Sequence, residues 1–126
     1  MNRKHIRRIQ LCLQYAKRSK VPHYKHCAIL VKGNKILSIG INKMKAGCLG
    51  HPLYEYKGWH SELDCLHKLS LEEVKGAILY VAGLSKGGNI VTSKPCKYCQ
   101  QYLNQFDLKA IYYSLPNGEY GIMKIS

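Results

Sequence analysis

Apolar residues recur at Ile6, Ile9, Leu13 and Ala16, with arginine and lysine on the intervening positions. That spacing predicts a helix over residues 3–18 with one inward face, which Pro22 is expected to stop. The period then changes. Cys27-Ala28-Ile29-Leu30-Val31 is an unbroken apolar run, Gly33-Asn34 is a tight-turn pair, and Ile36, Leu37, Ile39 and Ile41 form a return strand, so an antiparallel hairpin is expected. Residues 43–59 show no periodicity and hold three glycines and a proline. A loop this long in a compact domain is usually functional or disordered.

Leu63, Leu66 and Leu69 predict a second helix starting near His60. Ala77-Ile78-Leu79-Tyr80-Val81 reads as a third strand, and Leu84 to Lys94, with Gly87-Gly88, as a loop. A short helix is expected from Cys96 to Phe106, a fourth strand at Ala110-Ile111-Tyr112-Tyr113, and a turn at Asn117-Gly118 into a last strand around Gly121 to Ile125. The order is α-β-β-α-β-α-β-β. About four residues join the last two strands, too few for the crossover helix of a parallel pair, so the fifth strand is expected antiparallel to the fourth. With no internal repeat, low-complexity tract or linker, residues 1–126 read as one domain, and a monomer is favoured.

Charge changes the picture more than composition does. The chain carries +13 overall, but residues 1–59 hold thirteen Lys+Arg against the single acid Glu55, and residues 60–126 hold seven against six. Excess lysine kept for solubility does not predict so one-sided a distribution, which instead suggests a polyanion partner for the first half. No stretch reaches the ~20 apolar residues of a membrane span, and the basic N-terminus lacks the apolar run of a secretion signal. A cytoplasmic protein without a membrane partner is expected. Six cysteines allow disulfides, but Cys12, Cys27 and Cys65 sit inside apolar patterns and Cys96 and Cys99 form a C-x-x-C pair, so a metal site in a reducing setting is the better reading. Cys48 lies in the long loop.

His60-Ser61-Glu62 and Pro95-Cys96-Lys97-Tyr98-Cys99 carry the chemistry. One imidazole and two thiolates are soft ligands that suit Zn²⁺ and leave its fourth position open. Glu62, two residues past the histidine, stands ready to handle a proton there, which a closed structural site has no use for. Cys96 and Cys99 share one helical face, Pro95 fits a helix start, and helix N-termini near both halves favour thiolate over thiol. His67, two turns along the predicted helix from His60, reads as a surface or packing residue. His51 would serve as a fourth ligand only of a structural site. His23 and His26 flank Tyr24, where they line an entrance or close a turn.

The two halves in this order resemble the H-x-E…P-C-x-x-C pattern of the zinc-dependent nucleobase deaminases. The element order resembles the cytidine-deaminase-like fold, a three-layer α/β/α arrangement with a five-stranded mixed sheet, over essentially the whole chain. The resemblance implies hydrolytic deamination with zinc held by His60, Cys96 and Cys99, and with Glu62 passing protons from water to the ring nitrogen and the leaving amine. It also offers Asn42 as a contact to the sugar or base, against the plainer reading of a loop asparagine satisfying its own backbone. Ser93 resembles the small polar residue the family has before Pro-Cys, or serves only as a turn residue. Ser61 is counted with these substrate contacts.

The substrate is read from the first half. Free cytidine deaminases follow the strand-end asparagine, two residues on, with a glutamate that holds the ribose; here Met44 stands there. Lys43, Lys45 and Lys57 interleaved with Tyr54, Tyr56 and Trp59 suggest bases stacking beside a phosphate-tracking groove, although Tyr54 and Trp59 equally suit packing of the loop onto the body. The expectation is deamination of cytosine to uracil in single-stranded DNA or RNA. A deaminase of free dCMP or cytidine and a non-catalytic, zinc-containing nucleic-acid-binding module are the alternatives.

Overall fold

A computed structural model of the chain describes residues 2–43 and 60–124. The first helix, α1, spans Arg3–Ala16 and is capped by the Asn2 side chain, which accepts from the Lys4 amide. Its buried stripe is His5, Ile9, Cys12 and Ala16, so the inward face is rotated from the expected one, with Ile6 and Leu13 at its margins. A histidine can replace Ile6 in that stripe because its polar atom is satisfied: His5 Nδ1 lies 2.6 Å from the Tyr80 hydroxyl, and the ring stacks on Tyr112 at 4.0 Å. Pro22 does not end the helix. The chain turns at Arg18 and Ser19, whose amides donate back to Tyr15 and Ala16, and buried Ser19 then donates to the Asn42 carbonyl at 2.9 Å.

Strands β1 (Tyr24–Lys32) and β2 (Lys35–Ile41) form the expected hairpin, with Lys32 opposite Lys35 across Gly33-Asn34 and Gly33 at φ 64°. Among the described residues between β2 and the next strand lie two short helices, α2 (Ser61–Leu66) and α3 (Leu71–Val74). One helix through Leu69 was expected. It breaks because Ser70 and Glu73 form a capping box that starts a new turn. Strand β3 (Ile78–Ser85) follows, and then β4 (Ile90–Val91), helix α4 (Lys97–Leu103), β5 (Ala110–Ser114) and β6 (Tyr120–Met123).

The described sheet has six strands rather than the expected five. The extra one, β4, is two residues long and folds back onto β3, pairing Val91 with Gly83 and Ile90 with Leu84, in a stretch expected to be loop throughout. A two-residue strand leaves no periodicity to read. The main path is β2-β1-β3-β5-β6, with β3 and β5 parallel and β6 antiparallel to β5, as the short Asn117-Gly118 connection requires.

Both faces of the central strands are covered, which explains the unbroken apolar run of β1. Cys27, Ile29 and Val31 pack with Tyr80, Ala82 and Leu84 against α1. Ala28 and Leu30 pack with Leu79, Val81 and Ile111 against α2 and α4, through Leu63, Leu66, Cys99 and Leu103. The result is the three-layer α/β/α arrangement. Helix α2 sits so close to β2 that a Cβ on Gly40 would lie 2.5 Å from the Ser61 carbonyl oxygen and 2.8 Å from the Asp64 carbonyl carbon.

Candidate metal centre

His60 is the N-cap of α2 and Cys96 the N-cap of α4, and neither side chain caps its own helix. The ring turns instead toward the sulfurs: His60 Nδ1 lies 3.1 Å from Cys99 Sγ and 4.0 Å from Cys96 Sγ. One donor atom from each of the three lies within 4.8 Å of the others, so all three can turn toward one ion. The two thiolates are thus brought together by one helix turn, and the imidazole by the packing of α2 on the same face of the sheet.

The donor set fits zinc chemically as well as spatially. A hydrogen bond from the Cys99 thiol, and then the neighbouring His60 ring, pull the Cys96 thiol down to about 3 against the effect of its partial burial. Cys96 is therefore a thiolate at neutral pH, the form a metal binds. Cys99 is fully buried while Cys96 is exposed, so the centre has one wall in the core and one side open to the exterior.

Glu62 is only 6% exposed, two residues along α2 from His60. Ser61, 1% exposed, donates its hydroxyl to Glu62 Oε1 at 2.9 Å. The structure thus sets Ser61 to orient the acid. Asn42 spends both ends of its amide on β1: Oδ1 accepts from the His26 amide and Nδ2 donates to the Tyr24 carbonyl, each at 2.9 Å. Ser93 is buried, with its hydroxyl 2.8 Å from His26 Nδ1. Trp59 and Tyr54, also expected at the substrate, lie outside the described residues, as do Lys45, His51 and Tyr56. His67 is exposed at the C-terminal end of α2, away from the metal ligands as expected.

Two further residues take positions near this centre: His26, expected to line an entrance or close a turn, and Asp64, which no sequence pattern singled out. His26 joins Asn42 to Ser93 and feels the charges of both Glu62 and His60; burial, the largest influence, lowers its pKa, so it is a neutral imidazole at neutral pH. The strand period carried the signal: His26 shares parity with Ala28 and Leu30, which face the ligand-bearing helices. The ring lies over Gly83, its cross-strand partner, where any Cβ would overlap it. Asp64, on α2, accepts from the Ile41 amide and from Lys43 Nζ at 3.0 Å each, tying the helix that carries His60 and Glu62 to the end of β2.

Known proteins share this architecture. A family model described as the cytidine and deoxycytidylate deaminase zinc-binding region matches residues 2–115. Among solved structures, the dCMP deaminase of cyanophage S-TIM5 in apo form is similar at 24% identity and a TM-score of 0.55, covering 88% of this chain and 82% of that one. The same enzyme in complex with dCMP and dUMP matches at 23% identity and a TM-score of 0.52, over 88% and 81%. Acinetobacter baumannii RibD, form 2, matches at 19% identity and a TM-score of 0.56 over 86% of this chain, which spans only 27% of the RibD chain. No curated protein sequence matches the chain.

Proposed function

The chain belongs to the cytidine and deoxycytidylate deaminase zinc-binding family, and from that premise we propose that it hydrolyses the exocyclic amine of cytosine to give uracil. The observation that carries this reading is the convergence of His60, Cys96 and Cys99 beside buried Glu62. Zinc held there supplies Lewis acidity that makes a water nucleophilic near neutral pH. Two thiolates and an imidazole offset the ion's charge, so a base must complete the activation. Glu62, with Ser61 holding Oε1, takes the proton of the attacking water and passes protons to the ring nitrogen and the departing amine as ammonia leaves. Neutral His26, fixed by Asn42 and Ser93, walls the site without adding a competing charge.

The substrate we infer is cytosine in a single strand of DNA or RNA, where no paired base has to be extruded. The cation excess of residues 1–59 supports it, as do exposed Tyr98 and exposed Lys94 and Lys97 around the ligand Cys96. Free dCMP is the second reading, favoured by likeness to the cyanophage dCMP deaminase along most of both chains. None of the described cysteines is paired in a disulfide, which supports a reducing, cytoplasmic setting. No described helix is long and apolar enough to cross a membrane.

Zinc-loaded protein incubated with single-stranded DNA, single-stranded RNA, dCMP and cytidine, scored for uracil, tests the proposal. Conversion of dCMP alone would replace the first substrate by the second. Glu62→Gln is expected to keep its zinc and lose about 10²–10⁴-fold in turnover. Full turnover in that variant would overturn the role of Glu62.

A further inference from the structure

The outer face of α1 carries a row of long cationic and amide side chains. Arg3, Arg7, Gln10, Gln14 and Lys17 recur at steps of four and three along the helix and its cap, and all five are exposed. They lie opposite the buried stripe of His5, Ile9, Cys12 and Ala16, so the row points straight away from the sheet. Arg18 continues it, with its guanidinium 4.8 Å from the centre of the Tyr15 ring. No acidic residue occurs before Glu55, and none of these cations pairs with a described carboxylate. Four of the six described acids, Glu62, Asp64, Glu72 and Glu73, lie instead on α2 and α3.

This row is not part of the metal centre. Helix α1 covers one face of the sheet, whereas α2 and α4, which carry the ligands, cover the other. Its cations therefore do not serve to hold a nucleotide at Glu62. An anionic membrane is a poor match as well, because an interfacial helix inserts an apolar face, and that face of α1 is already buried in the core. A row of arginine, lysine and glutamine with its apolar side occupied suits a phosphate backbone, whose charges and oxygens such side chains can meet without reading a base.

We propose that the outer face of α1 is a sequence-independent nucleic-acid-binding surface, separate from the metal centre. It holds the protein on a strand while the other layer does its chemistry. The proposal does not depend on which substrate the metal centre takes. Binding of fluorescent dT20, which contains no cytosine, tests it by anisotropy across a salt series. Each cation that contacts the strand contributes about 0.7 to the slope of log affinity against log salt. The variant Arg3→Gln/Arg7→Gln/Lys17→Gln is expected to lose about 2 from that slope, and Arg7→Gln alone about 0.7. Glutamine keeps a helix propensity close to that of the residues it replaces, so the fold is retained.

The matched control, Lys68→Gln/Lys75→Gln/Lys109→Gln, removes the same charge from exposed positions elsewhere and is expected to keep the slope. An unchanged slope in the α1 variant, or equal losses in variant and control, would overturn the proposal. Tight binding to phosphatidylserine vesicles, lost with the same α1 substitutions, would also overturn it. A wild-type protein that binds dT20 through α1 yet makes uracil only from dCMP would leave this surface standing and remove the strand as substrate.

Discussion

The His26 imidazole lies directly over Gly83, its partner across the β1–β3 ladder, with Nδ1 2.8 Å from Ser93 Oγ. Three segments meet there: the first strand, the third, and the stretch leading into Pro95-Cys96. Gly83 leaves the space, Asn42 holds the His26 backbone, and Ser93 holds the ring.

Gly83→Ala is therefore expected to act through His26. A methyl group at Gly83 overlaps the ring and displaces it from Ser93. Losses of about 10–100-fold in kcat/KM or zinc affinity are typical when an outer partner of a metal centre moves. His26→Ala should cost a similar amount, and the double variant no more than either single one, because both remove the same contact. Kinetics of uracil formation with zinc content measured alongside decide it; additive losses would show that Gly83 acts by another route.

Cys96→Ser and Cys99→Ser are each expected to reduce bound zinc from one per chain toward zero, read by elemental analysis. Serine at the buried Cys99 should also lower the unfolding temperature, since its hydroxyl enters a site packed among Leu63, Leu66 and Leu103. Serine at exposed Cys96 removes a ligand without disturbing that packing.

Asp64→Ala leaves the Ile41 amide and Lys43 without their acceptor at the join of α2 and β2. A part-buried donor without a partner costs about 1–3 kcal/mol, which urea unfolding would detect. Asp64→Asn, which keeps an acceptor for the Ile41 amide, should lose less. Equal stability of both variants with wild type would show that the join contributes nothing.

Stability is expected to fall below about pH 6.5 because of His5. Burial first, then nearby Lys4 and Arg8, lower its pKa from the ordinary 6.5. Arg8 donates to the Tyr80 oxygen, which also lies 2.6 Å from His5 Nδ1, so a second cation on the ring would sit close to the Arg8 guanidinium. As pH drops, the unfolded chain takes up a proton that the folded ring still refuses, and the balance shifts toward unfolding; above 6.5 both forms are neutral and the contribution is level. His26, also lowered by burial, adds in the same direction. Urea unfolding at several pH values should show a shallower acid-side decline in His5→Phe, which keeps the stacking on Tyr112. An identical slope would rule His5 out.

Much of this protein is written locally. The apolar periods place α1, the β1–β2 hairpin, β3, α4 and β5 within a few residues of their positions, because each buries its own face at its own period. The short Asn117-Gly118 connection dictates the antiparallel β6. The three ligands and Glu62 are readable because each pair lies within one turn of chain, where spacing alone sets which side chains share a face. Tertiary structure decided what depends on a partner distant in sequence. His5 took the buried place expected for Ile6 because Tyr80 and Tyr112 satisfy it from other strands. Strand β4 exists only as an addition to β3. His26 took its place near the metal centre because Gly83 has no side chain and Ser93 arrives from beyond β4. A residue's own period states which way it faces; only the folded sheet states what it meets there.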